Sequence, residues 1–262
     1  MGQSQYFPLF GSAQQFQGPG DQKENSNFEI QVRRQRRTTW RDIANLFCDP
    51  RECLASYLAL EAAEVLAGVK PANLISIPDQ VSPCGQNPCQ LWRKYGKEII
   101  GATTLEVYEL ADRDNSILIL LYQPEALNNL LKSASVRAIL RRAGYTDDAD
   151  LDSVNDRLAL RINTGAFPHE IGIFLGYPLK DVAGFMGLAK IPFACQGPWK
   201  IYGDPSVSLK LAETFRWCRR QMAKGLATCT SPFECLDSCR TVDVFFCNTA
   251  DNDFHLHNTQ TV

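Results

Sequence analysis

No apolar run in this chain approaches the ~20 residues that a membrane-crossing helix needs, and the mean hydropathy is −0.21. Net charge is nearly absent: 27 Lys and Arg stand against 29 Asp and Glu, a formal −2. A dedicated nucleic-acid binder draws its affinity from neutralising phosphates, so this balance argues against one. Familiar motifs are missing as well. No GxGxxG opens a helix after a strand, and there is no GxxxxGK[ST], HExxH or GxSxG. Dinucleotide, phosphate-loop, zincin and α/β-hydrolase chemistry therefore have no support in the residues. The ten cysteines fall well short of the more than ~8% of a disulfide scaffold. In a reducing cytosol most would be thiols, metal ligands or small core residues. The chain opens without a basic stretch leading into an apolar one, and Tyr6 stands where a myristoylation signal wants Ser or Thr. The expectation is a cytoplasmic protein with no membrane span.

What is present is an ordinary globular composition, 45% hydrophobic and 21% charged, which excludes wholesale disorder. Residues 1–38 are polar, rich in Gln and Gly, and lack periodicity, so they read as a flexible extension. It ends in Arg33-Arg34-Gln35-Arg36-Arg37, a run more in keeping with a solvated face than with a nucleic-acid contact. Order is expected from 39 to 224 in one domain, with 225–262 a Cys-rich extension.

Within that domain Trp40, Ile43 and Phe47 share a helical face. Asp49-Pro50 is a cap followed by Pro at the first helical position, and Gly68 closes the helix that carries Leu54, Leu58 and Ala62 inward. Leu74–Ile77 is a short strand. A loop over 78–90 precedes a helix near Leu91–Ile100. Leu105–Leu110 and Ile117–Tyr122 form a hairpin, and the wholly apolar Ile117–Leu121 belongs in the middle of a covered sheet. Helices follow at Pro124–Lys132, Val136–Ala143, Leu151–Ile162 and from Pro178. Trp199–Tyr202 is a strand. Val207, Leu211, Phe215, Cys218 and Met222 make the core stripe of a last helix that Gly225 ends. Thr241–Cys247 could add a strand. The fold class is α/β: a single domain with a small mixed sheet and a central hairpin, covered by several helices.

Three segments carry a resemblance. They are Leu66–Ser76, centred on Lys70-Pro71-Ala72-Asn73; Phe167–Pro178, reading FPHEIGIFLGYP, with Asp181-Val182 and Gly184-Phe185 behind it; and Trp199–Asp204, reading WKIYGD. In that order they resemble the bacterial family called domain of unknown function 3793, over residues about 40–224. The resemblance implies no activity. It implies a His-Cys pair upstream of Leu66, where this chain has Glu61 and Ala62, and it tilts the reading toward iron or redox biology.

Several constellations are candidates for chemistry. His169 is the only histidine between 39 and 224 and could be a base or metal ligand. Glu170 beside it is equally explained as an acid at a helix start. Cys195 lies in a loop-like stretch and would need a lowered pKa, from His169 or Lys200, to act as a nucleophile. Lys70, Asn73, Tyr177, Trp199, Lys200 and Tyr202 are candidate ligand contacts, although the aromatics also suit a core. Cys84 and Cys89, spaced C-x4-C, are candidate metal ligands for zinc or iron, at the edge of knuckle spacing. The cysteines and histidines of the tail could complete such a site. Glu61, on or beside the apolar stripe, would be paired or shifted in pKa, and Lys70, just past the helix end, could pair with it. The leading expectation is a small-ligand or metal-binding protein with a pocket walled by these three segments. The alternatives are a Cys–His enzyme and a non-enzymatic docking or regulatory module with a protein partner.

Overall fold

A computed structural model describes residues 39–237 except 83, 147–148 and 165–166. The arginine run, Cys239, Cys247, His255, His257 and the strand expected at Thr241–Cys247 lie outside the described residues. Trp40, Ile43 and Phe47 are all buried, but on two 3-10 turns, Trp40–Asp42 and Ala44–Leu46, rather than one helix. Asp42 accepts the backbone N–H and the hydroxyl of Thr39 and fixes the first turn.

The Asp49 carboxylate then accepts the N–H groups of Arg51 and Glu52 and starts α1 (Pro50–Glu61). After a break at Ala62 the chain continues as α2 (Ala63–Leu66). Gly68, at φ 69°, ends it, and the Val69 and Lys70 N–H groups fold back onto the Glu64 carbonyl. Cys53 to Leu60 are buried without interruption, because α1 is covered on several sides. β1 (Ala72–Pro78) follows. α3 (Pro88–Gly101) starts earlier than the apolar spacing predicts, since Asn87 caps it by accepting the N–H groups of Cys89 and Gln90.

β2 (Glu106–Arg113) and β3 (Ser116–Tyr122) form the expected hairpin. The strand order is β1-β3-β2 and every pairing is antiparallel. The sheet expected to be mixed thus has no parallel neighbours. β1 and β2 do run parallel, but β3 lies between them, since the chain crosses over through α3 and returns to the far edge. β3 is covered on both faces, as its apolar sequence demands. Ile75, Ile77, Ile117, Ile119 and Leu121 face a core built with α1 to α3. Ala72, Leu118, Leu120 and Tyr122 face a second core. That core is built by α4 (Pro124–Leu131), α5 (Ala134–Arg142), α6 (Leu151–Thr164), α7 (Ile171–Phe174) and α8 (Leu179–Phe185).

A small hairpin, β4 (Phe193–Gln196) with β5 (Lys200–Tyr202), leads to α9 (Ser206–Thr228). Its inward stripe is Ser208, Ala212, Phe215, Cys218, Arg219, Met222 and Leu226. Val207, expected on that stripe, is 65% exposed. The 3.6-residue period, followed back from Phe215, reaches Ala212 and Ser208 rather than Leu211 and Val207. The helix also continues past Gly225 to Thr228, because a glycine inside a helix costs only about 1 kcal/mol. α10 (Pro232–Leu236) then lies on α1. No helix among the described residues is long and apolar enough to cross a membrane.

Candidate functional site

Gly176 brings the FLGYP segment against the start of β1. It adopts φ 70°, and a Cβ there would stand 3.0 Å from Pro71 Cδ and 3.8 Å from Lys70 Cα. The next residue, Tyr177, stacks on Trp199 with ring centroids 4.3 Å apart. Trp199 meets Phe215 of α9 at 6.0 Å. The Lys70 ammonium lies 4.3 Å from the Phe215 centroid and 6.0 Å from that of Tyr177. It also donates to Asn73 Oδ1 at 2.9 Å. The three segments quoted above, far apart in sequence, therefore converge on one half-buried cation. Each ring face attracts a cation by about 0.5–2 kcal/mol, depending on desolvation.

Beneath Lys70 runs a paired polar network. Asn73 donates to Glu64 Oε2 and to the Glu61 carbonyl, both at 2.8 Å. Glu61 pairs with the buried Arg219, which also donates to the Leu60 carbonyl at 3.1 Å. Burial alone would lower the Arg219 pKa, but the Glu61 charge and hydrogen bonds raise it above the ordinary range. Cys218, one residue away, is pushed up to about 12 by burial and by Glu64. Arg219 escaped the sequence reading. A charged residue four after Phe215 on an apolar stripe was the available signal.

Asp181 also escaped it, although it lies in a quoted segment. It is 1% exposed and accepts four donors. Oδ2 takes the Trp199 indole N–H at 2.8 Å and the Ser208 hydroxyl at 2.6 Å. Oδ1 takes the Tyr202 backbone N–H at 2.9 Å and Lys180 Nζ at 2.8 Å. This carboxylate ties α8, β5 and the first turn of α9 together and orients Trp199 for its stack. Burial pushes the Asp181 carboxyl up, and the hydrogen bonds from Lys180, Ser208, Tyr202 and Trp199 outweigh it, leaving the pKa lowered.

The other candidates fall elsewhere. His169 is exposed and meets the Phe185 ring edge-on at 4.7 Å. Lys200 lies over the same ring, its Nζ 5.4 Å from the centroid. Tyr202 packs against Gly184. Glu170 is fully buried, paired with Arg161 and accepting the Tyr145 hydroxyl at 3.2 Å. Its carboxylate is thus engaged from two sides. Cys195 packs instead with Trp199, Ile201 and Phe215, in strand β4. Cys89 is buried in the first turn of α3 rather than in a loop. Cys84 packs on the same core and meets Cys53, whose thiol is pushed up to about 12 by burial and by Cys84. Among the described residues no three of His, Cys, Asp and Glu gather as a metal ion needs.

These features define an α/β domain with helices on both faces of a three-stranded sheet and a cation–aromatic site at the junction of three chain segments. The chain belongs to the family described as "Protein of unknown function (DUF3793)", whose profile matches residues 58–236. That span contains all three converging segments and extends through α10. No curated protein and no solved structure matches the chain.

Proposed function

We propose that the protein binds a small anionic molecule over Lys70, at the meeting point of Lys70–Asn73, Gly176–Tyr177 and Trp199. The observation that carries this reading is the Lys70 ammonium, laid across Phe215 and Tyr177 and held by Asn73. A free lysine loses roughly 2 kcal/mol of rotamer entropy when a ligand orders it. Here the packing of the site has already met much of that cost, which is what preorganisation contributes to affinity. The half-buried Tyr177 ring, backed by the buried Trp199, offers an apolar wall beside the charge. A carboxylate or phosphate with a modest apolar body fits this chemistry.

The test is thermal stability of the full chain against a panel of small carboxylates and phosphates. One class should raise the melting temperature in a saturable way. Lys70→Met, which keeps the stem and removes the charge, should abolish that shift, and Tyr177→Leu should weaken it. If no member stabilises the protein, or if Lys70→Met responds as the parent does, the reading fails. The docking-module alternative then becomes the stronger one, with the exposed Phe193 and Val207 as the residues to change.

A further inference from the structure

The junction of α5 with α6 holds two arginines in unlike circumstances. Arg157 and Arg161 stand four residues apart, on one face of α6. Arg161 is paired. Its Nε lies 2.5 Å from Glu170 Oε1, and Nη1 donates at 3.1 Å to the carbonyl of Ala143, which ends α5. Arg157 has none of these partners. It is half-buried, and its Nε–H is shielded from solvent with no acceptor among the described residues. No ion pair joins it to a described residue. The guanidinium lies against Gly144, just past α5. A Cβ added to that glycine would stand 3.0 Å from Arg157 Nη2, so the missing side chain is what makes room for the charge. Leu160, three residues further along the helix, is 50% exposed.

We infer that Arg157 anchors an oxyanion site at this junction, taking two oxygens of a phosphate or carboxylate group on its guanidinium. The planar fork of an arginine matches such a pair of oxygens, and the charge strengthens both hydrogen bonds. Glu170 is already engaged by Arg161 and by the Tyr145 hydroxyl. It offsets Arg161, and the charge of Arg157 is left for the incoming group. A half-buried charge without a counter-ion is costly, so the site gains by filling.

No hydrogen bond to a described residue fixes the guanidinium, so it can turn its Nε–Nη edge toward the ligand and satisfy the shielded Nε–H. Leu160, on the same side of the helix, gives the body of the ligand an apolar rim. The residues of this junction take no part in the contacts around Lys70, so the inference does not rest on the site proposed there.

The experiment follows the full chain, isotope-labelled in nitrogen, by NMR. Inorganic phosphate, and separately acetate, replaces chloride at constant ionic strength. The Arg157 Nε–H signal, assigned by its loss in Arg157→Lys, and the Gly144 amide should move together and saturate. A response to phosphate marks a phosphate site, and a response to acetate alone marks a carboxylate site. In Arg157→Lys, which keeps the charge and loses the fork, the Gly144 amide should need about tenfold more anion. Lys70→Met should leave the titration unchanged. A rise in melting temperature kept in Lys70→Met and lost in Arg157→Lys belongs to this junction, so the two readings stand or fail separately. The inference is overturned if neither anion moves the Arg157 signal beyond its position in chloride. It is overturned too if Asp147→Asn or Asp148→Asn moves that signal while both anions leave it in place. The unsubstituted chain decides the first point by itself, whatever the variants do to folding.

Discussion

Replacing Asp181 by Ala removes the acceptor that four donors share. Two of those donors have no other recourse. The Trp199 indole N–H and the Tyr202 backbone N–H would be left unpaired in a closed space, each at a cost of about 1–3 kcal/mol. Ser208 can turn its hydroxyl, and Lys180 keeps the Tyr202 carbonyl at 2.6 Å and some access to water. The expected loss is therefore about 3–5 kcal/mol, the range for removing one partner from a buried charged pair. For a domain of this size each kcal/mol moves the melting temperature by about 2–4 °C, so the fall should be on the order of 10 °C. Asp181→Asn keeps the shape and one oxygen but turns an amide toward the other two donors, and should lose roughly half as much.

The lowered pKa of Asp181 gives the effect a pH signature. A carboxylate depressed in the folded state stabilises fully above its unfolded value of about 3.9, and that stability is lost as pH falls through the lower folded value. Urea unfolding of the three proteins at neutral and acid pH checks both points. The parent should approach the Asn variant in stability as acid protonates Asp181. An Ala variant within about 1 kcal/mol of the parent at neutral pH would refute the reasoning, because that is the scale of an average substitution without a special role.

Gly184→Ala should destabilise by about 1–3 kcal/mol through overpacking, since the new Cβ would stand 2.6 Å from Tyr202 Cγ and 2.8 Å from Cδ1. Gly101→Ala, with nothing within 4 Å of the same atom, is the control and should be near neutral in the same urea melts. Brief alkylation of the native protein near pH 8, followed by peptide mapping, should modify the exposed Cys48 first. Cys53 and Cys218, both buried and pushed up to about 12, should react only on unfolding. Early labelling of Cys218 would mean that α9 opens readily from the core it covers.

Much of the local structure was legible in the sequence, because caps, turns and periodicity depend on near neighbours. Asp49-Pro50 specified the start of α1, and Gly68 the close of α2, although the break at Ala62 between them was not foreseen. The apolar run of β3 specified a strand covered on both faces. A one-residue error in phase was enough to misplace Val207, since a helical stripe is fixed by the surface it meets. The direction of β1 was not legible either. It depends on which edge of the hairpin the crossover through α3 leaves free.

The candidate site divides in the same way. The FPHEIGIFLGYP and WKIYGD segments marked the region, and Lys70, Tyr177 and Trp199 do meet there. The residues that complete it come from afar: Arg219 reaches Glu61 across 158 positions, and Asp181 gathers donors from up to 27 positions away. The sequence by itself placed Glu61 on or beside an apolar stripe, where a carboxylate is paired or shifted in pKa, and it offered Lys70 where the structure has Arg219. The identity of its partner, Arg219, depended on which helix faces packing brought into contact. Only the tertiary structure decides that.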